Sequence, residues 1–197
     1  MNYLAHAWLS FNHPEILVGN MISDFVKGKR KFDYSPMVQK GIGLHRAIDE
    51  FTDAHAATAA AKQYFRPVVG LYAGAFVDVV YDHFLARDLR ENSEEGWQQF
   101  CRHTYHILQH HTGILPDRFA SMVPYMRSQN WLFNYRYMEG LENSFKGLAF
   151  RATYLDNSRD AYKVFEQSYD ALQACYDDFF PFVKTFAFTQ FNQLLNE

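Results

Sequence analysis

Residues Pro67–Leu89 read PVVGLYAGAFVDVVYDHFLARDL. Apolar side chains occupy nearly every turn of a helix drawn through them, and no period-two alternation runs along the stretch. It therefore predicts one long, strongly buried helix. A helix apolar on most sides needs other elements packed around it, and the flanking sequence supplies them in the same helical period. Ser35-Pro36 gives a capping side chain followed by proline at the first helical position. Met37, Ile42, Leu44, Ile48 and Phe51 then mark a helix running to about His55. Upstream, Met1–Phe11 and Pro14–Lys27 read as two short helices separated by Asn12-His13-Pro14. Downstream, Ser93 caps a helix with Trp97, Phe100, Ile107 and Leu108 on its inner side, and Pro116, Pro124 and several glycines divide the middle into shorter pieces. Asn157–Phe180 predicts the last long amphipathic helix, with a shorter one after Pro181. No hairpin signal, repeat or linker interrupts the pattern. The expected fold is all-α, a compact helical bundle forming a single domain over residues 1–197.

Composition narrows the function classes. With 197 residues, 48% of them hydrophobic, the chain has material for one sizeable core and hardly for two. Nineteen Phe, 13 Tyr and 3 Trp suit a large apolar core or a greasy groove beside it. The formal charge of −3 excludes the uniform basic coat of a general nucleic-acid binder. Cys101 and Cys175 lie far apart and form no CxxC motif, which argues against a disulfide framework or thiolate zinc site and fits a reducing compartment. Met1–Val26 carries no Lys or Arg, hence no cationic n-region. The uncharged run Val68–Val77 is half a membrane span. The expectation is a soluble, cytoplasmic protein with neither a membrane nor a nucleic acid as partner.

Nine histidines are present, and their company differs. His45, Asp49 and Asp53 fall at i, i+4 and i+8, one stripe of a helix, where imidazole nitrogen and carboxylate oxygen can reach a common divalent ion. A helix-surface ion pair is the alternative. Asp78 and Asp82, with His83 adjacent, put two carboxylates one turn apart in the most apolar helix. Like charges there need a cation, a proton or a counter-charge such as Arg46 or Arg87. Asn2 and His6 are one turn apart, as are Asn20 and Asp24. Such N/O ligands suit Mn²⁺, Mg²⁺ or Fe²⁺ as well as Zn²⁺. His103, His106, His110 and His111 lack carboxylate company and read as a solvated or adventitious cluster, while His13 and His55 read as surface or helix-end residues. Lys27-Gly28-Lys29-Arg30-Lys31 is either a solvated loop or a place to dock an anion or an acidic partner. No Walker loop, GxGxxG or GxSxG occurs, so nucleotide cradles and acyl-serine chemistry have no support.

Four ordered motifs carry a family resemblance: Asn2-x-Leu4-Ala5-His6, Gly19-Asn20-x3-Asp24-Phe25, His45-Arg46-x-Ile48-Asp49-x2-Thr52-Asp53 and Asp78-x3-Asp82-His83-Phe84-Leu85. Together they resemble the acyl carrier protein phosphodiesterase family. The likeness continues through Arg118-Phe119, Trp131-Leu132, Arg136-Tyr137 and Gly147 to Arg151, covering nearly the whole chain. That family is similar to a divergent branch of the all-helical HD-domain metal-dependent phosphohydrolases, although Asp82-His83 reverses the superfamily's His-then-Asp order. The resemblance implies hydrolysis of the phosphodiester that joins 4′-phosphopantetheine to a serine of holo acyl carrier protein, giving apo carrier protein and 4′-phosphopantetheine. Mn²⁺ would be the favoured ion, with Mg²⁺ or Fe²⁺ as alternatives.

On this reading His6, Asp24, His45, Asp49, Asp82 and His83 are the candidate metal ligands. They exceed what one ion with open positions can use, so some would stand behind the ligands or serve a second ion. Asp78 would orient a ligand imidazole, Asp24 is alternatively the base, and Arg46 would neutralise charge on the non-bridging phosphate oxygens. Lys27, Lys29, Arg30 and Lys31 lie outside the resemblance. They are expected, from their charge and their place immediately after Asp24, to dock an acidic carrier. The rival readings are a related phosphohydrolase acting on a small nucleotide or phosphate ester, and a non-enzymatic helical binding protein.

Overall fold

The computed structural model describes residues 1–152 and 158–196, and every regular element among them is helical. The α-helices are α1 (Tyr3–Trp8), α2 (Pro14–Ile22), α3 (Pro36–Ala54), α4 (Ala56–Val69), α5 (Ala73–Arg87) and α6 (Glu94–His110). They continue with α7 (Asp117–Ser128), α8 (Trp131–Asn134), α9 (Met138–Arg151), α10 (Ser158–Gln167) and α11 (Tyr169–Asn196). Short 3₁₀ turns follow α2 at Ser23–Phe25 and Gly28–Asp33, and join α4 to α5 at Gly70–Tyr72.

Helix α5 is the axis of the core. Phe76, Val77, Val80, Tyr81 and Leu85 are fully buried, and α1, α4, α9 and α11 pack around them. Phe76 meets Phe65 of α4 and Phe145 of α9, with ring centroids 6.0 and 4.7 Å away, and Tyr81 stacks on Phe179 of α11 at 5.0 Å. The expected helix Pro67–Leu89, however, is two helices. Gly70 adopts φ +56°, a conformation that costs a side-chain-bearing residue but not glycine. Its N–H bonds the Arg66 carbonyl and closes α4, so Pro67 sits in the last turn of α4. By length and composition alone, Ala56–Arg87 is apolar enough to cross a membrane. Its most apolar part is mostly buried within the fold, and the stretch turns at Gly70.

The C-terminal boundary also differs from expectation. Asn157 lies outside the described residues. The break falls at Ser168, whose N–H bonds the Val164 and Phe165 carbonyls, and α11 then runs straight through Pro181. Phe179, Phe180, Val183 and Ala187 are buried on both sides of that proline, and this continuous packing outweighs its missing donor. The first helix is shorter than expected because Phe11 and Asn12 take positive φ beyond it.

Two contacts set the geometry on which the site depends. Helices α2 and α3 cross at Gly19 and Gly41, where a Cβ on either would come within 3.0 Å of the facing backbone (Val38 and Ile16, respectively). Asp82, fully buried on α5, accepts hydrogen bonds from the N–H groups of Leu4 (2.7 Å), Ala5 (3.2 Å) and Asn2 (3.3 Å). Asn2 makes no capping bond of its own, so Asp82 caps α1 from across the core. Asp82→Ala strands those donors and is expected to cost about 3 kcal/mol in urea unfolding, with Asp82→Asn costing less. An unchanged midpoint in the alanine variant would contradict this capping role.

Candidate functional site

Close packing of α2 on α3 brings residues from four segments together. His6 comes from α1, Asp24 from the 3₁₀ turn after α2, His45 and Asp49 from α3, and Asp78 from α5. His6 and His45 stack with ring centroids 3.9 Å apart. His45 Nε2 lies 3.1 Å from Asp49 Oδ2 and 3.2 Å from Asp24 Oδ1, and His6 Nε2 lies 3.2 Å from Asp49 Oδ1. Ligand atoms of His6, His45 and Asp49 all fall within 4.8 Å of one another. The imidazoles form the floor, 3% and 5% exposed, whereas the Asp24 and Asp49 side chains are 72% and 40% exposed. The group therefore opens to solvent on its carboxylate side.

Hydrogen bonding at His45 is informative. Its Nδ1 lies 2.7 Å from the Asn20 carbonyl oxygen, which can only accept, so Nδ1 carries a proton. Nε2 then faces two carboxylate oxygens, which are also acceptors. That arrangement is stable only with a positive charge at the shared position, either a proton on Nε2 or a metal ion. Burial opposes charge on this ring, but the hydrogen bonds and charges of Asp24 and Asp49 overcome it and lift the pKa to about 9. His6 is in the opposite state. Burial, then the neighbouring His45 charge, push its pKa down to about 4. Neither His6 nitrogen has a hydrogen-bond partner, although Asp49 is close, because the approach is off the ring's donor direction. Burial acts to raise Asp49, but the hydrogen bond from His45, with the His6 ring and the Met1 ammonium close by, holds it far below the usual carboxylate range. A neutral, buried, unpartnered imidazole beside a second imidazole aimed at two carboxylates is a donor set that fits a divalent ion.

The other predicted residues have different surroundings. Asp78 Oδ1 lies 3.0 Å from the Met1 α-ammonium, which also reaches Asp49 at 3.4 Å. The counter-charge sought in Arg46 or Arg87 is thus this ammonium. Burial lowers its pKa, and Asp78 and Asp49 reverse that, raising it to about 10. Asp82 is engaged at the α1 N-terminus, and burial, against those N–H groups, lifts its pKa to about 7. His83 Nδ1 lies 2.7 Å from the Tyr135 carbonyl, and its Nε2 lies 3.4 Å from the Tyr169 hydroxyl. Arg46 is exposed and donates to the Val26 carbonyl at 3.2 Å, beside the Asp24 turn. Lys27, Lys29 and Arg30 are exposed, and Lys31 Nζ lies 5.0 Å over the Phe32 ring. Asp53 pairs with Lys62 at 2.6 Å. His13 and His55 accept from Ile16 and Ala57 N–H as caps of α2 and α4, and the exposed His106 and His110 rings lie 4.0 Å apart on α6.

Sequence reading missed three neighbours. The Met1 ammonium is one. The others are Arg118 and Arg151, whose charges, like that of Asp24, act on the half-buried Tyr3 phenol. Phe119 packs on Tyr3 and Phe25 at 6.1 and 5.2 Å, which brings the start of α7 against the Asp24 turn. Both arginines fall within the motifs quoted above, and that was the available signal.

The model of the family described as acyl carrier protein phosphodiesterase matches residues 1–183. Curated relatives named acyl carrier protein phosphodiesterase agree along nearly their full length. The one from Enterobacter sp. (strain 638) is 36% identical over 185 residues, 92% of this chain and 94% of the relative. Those from Escherichia coli O139:H28 and Salmonella agona are 35% identical over 186 and 185 residues, with the same coverage. No solved structure matches the chain. A family match over residues 1–183 and relatives 35–36% identical across the aligned residues lead to one conclusion: the chain belongs to the acyl carrier protein phosphodiesterase family, a family of hydrolases.

Proposed function

We propose that the protein is a metal-dependent phosphodiesterase of HD-domain-like type, acting in the cytoplasm on holo acyl carrier protein. It would release 4′-phosphopantetheine and leave the apo carrier. The observation that carries the reading is His45 Nε2 directed at two carboxylates beside the unpartnered His6, within a chain whose relatives bear that name. The free thiols Cys101 and Cys175 suit a reducing compartment.

His6, His45 and Asp49 would hold the divalent ion, with Asp24 as a further ligand or as the base; Mn²⁺ is the favoured ion, Mg²⁺ or Fe²⁺ the alternatives. Such an ion supplies Lewis acidity toward the phosphoryl group and water. The Asn20 carbonyl fixes the His45 tautomer and ring orientation. Asp24, the most exposed carboxylate of the group, is placed to take a proton from an attacking water. Arg46, from the same side, would meet charge building on the phosphate oxygens. Asp78 and the Met1 ammonium hold Asp49 in place. Asp82 and His83, with their own partners, would support the helices that carry the ligands.

The test is a substrate panel read by mass: holo carrier protein, free nucleotides and simple phosphate esters. Conversion of holo to apo carrier, with release of 4′-phosphopantetheine, is expected. Turnover of nucleotides alone would favour the small-substrate reading, and no turnover of any of them would remove the enzymatic one.

Docking is proposed at Lys27, Lys29, Arg30 and Lys31, because an acidic carrier needs a local basic surface on a chain of net charge −3. Neutralising Lys29, Arg30 and Lys31 together is expected to raise KM several-fold and flatten its salt dependence, with kcat little changed. An unaltered KM across an ionic-strength series would remove this surface from the account.

A further inference from the structure

A cavity of about 600 Å³ lies one helical turn beyond the metal-ligand group, its lining including Asp53, Lys62, Arg66, Gly70, Leu71 and Gly74. Its position follows from helix periodicity. On α3, Asp53 is one turn past Asp49; on α5, Gly74 is one turn before Asp78, so both steps are about 6 Å along the axes. Asp49 and Asp78 are themselves bridged by the Met1 ammonium. His45, Asp49 and Asp53 are successive turns of α3, with Asp24 against His45 at one end and Lys62 against Asp53 at the other. The site is thus a line, with the Asp24 turn and its lysines at one end and the cavity at the other.

A phosphodiester has two ends, and they must leave the reacting phosphorus in different directions. We propose that this cavity receives the pantetheine arm of the substrate while the carrier protein lies over the Lys27–Lys31 end, an inference that rests on the phosphodiesterase reading above. The volume is in the range of small-molecule sites. The arm offers amide carbonyls and a hydroxyl together with a gem-dimethyl group, and the lining matches both kinds of group. Lys62 lies across the backbone of Gly74, with Cε 3.5 Å from where a Cβ would be, so its ammonium is held at the cavity wall. Lys62 and Arg66, one turn apart on α4, give donors for the carbonyls. The Leu71 side chain is wholly exposed, an apolar surface for the methyl groups to cover.

The experiment uses Arg66→Glu and Leu71→Asp, both at exposed positions, in the full-length protein, with melting curves as the check of fold. The readouts are KM and kcat for holo carrier protein, and inhibition of that reaction by free pantetheine. Each variant is expected to raise KM, and the inhibition constant of pantetheine, by about tenfold, with kcat within twofold of native. Native-like KM and native-like inhibition in both variants would overturn the arm site while leaving the phosphodiesterase reading intact, as would a native protein that pantetheine does not inhibit. Failure of the native protein to release apo carrier would overturn that reading, and the arm site with it.

Discussion

Asp24→Ala is expected to fold and melt like the native protein and to lose turnover by about 10³-fold or more. The expectation of a normal fold follows from placement. Asp24 sits in a 3₁₀ turn with its side chain 72% exposed, and its one direct partner among the described residues is His45. The loss of turnover follows from chemistry, because this carboxylate is one of two that face His45 Nε2 and the one most open to a substrate. The His45 hydrogen bond holds its pKa below the usual value, against burial, so it is ionised at neutral pH. Steady-state rates with holo carrier protein and a melting curve check both halves. Near-normal turnover in a folded variant would take Asp24 out of the site.

The second large effect is structural. Gly41→Val is expected to destabilise the protein by about 3–5 kcal/mol and to lose activity with it. Any Cβ at position 41 would meet the Ile16 backbone within 3.0 Å, and backbone cannot rotate aside as a side chain can. Helices α2 and α3 would have to separate, and the Asn20 carbonyl, Asp24 and His45 are held across that crossing. Gly43→Ala is the control. It lies on the same helix with open space around its Cβ, and alanine there is expected to be neutral or stabilising by up to about 1 kcal/mol. Chemical denaturation of both variants decides the matter. Equal stabilities would show that the crossing does not depend on glycine.

These positions also mark how far the sequence could be read. The helical period of the apolar residues exposed the all-α fold, and serine-proline and serine starts located α3 and α6, where Ser35 and Ser93 do cap. Breaks were harder. Pro67 reads as a helix start and Pro181 as a break, yet both lie inside helices, whereas Gly70 ends α4 and Ser168 separates α10 from α11. Local propensity ranks proline as the stronger breaker, but tertiary packing of Phe179 to Ala187 carries α11 through.

Within the site, His45 and Asp49 were legible because one-turn spacing on a single helix guarantees proximity. The stacking of His6 on His45 was not, since it depends on how α1, α2 and α3 cross. Asp82 and His83 show the ambiguity most clearly. A carboxylate in an apolar helix announces that something must meet it, but the pattern is the same whether that partner is a cation or the N-terminus of another helix. Here three N–H groups meet Asp82.

The most direct measurement is a manganese-dependence assay on protein stripped by chelator. Holo carrier protein is added, then Mn²⁺ in steps, while bound manganese is followed by electron paramagnetic resonance and apo carrier by mass. The expected result is no conversion before manganese, conversion rising with occupancy of the protein, and neither binding nor conversion in Asp49→Asn. Full conversion by the stripped protein, or manganese binding unchanged in Asp49→Asn, would contradict a metal centre built on His6, His45 and Asp49.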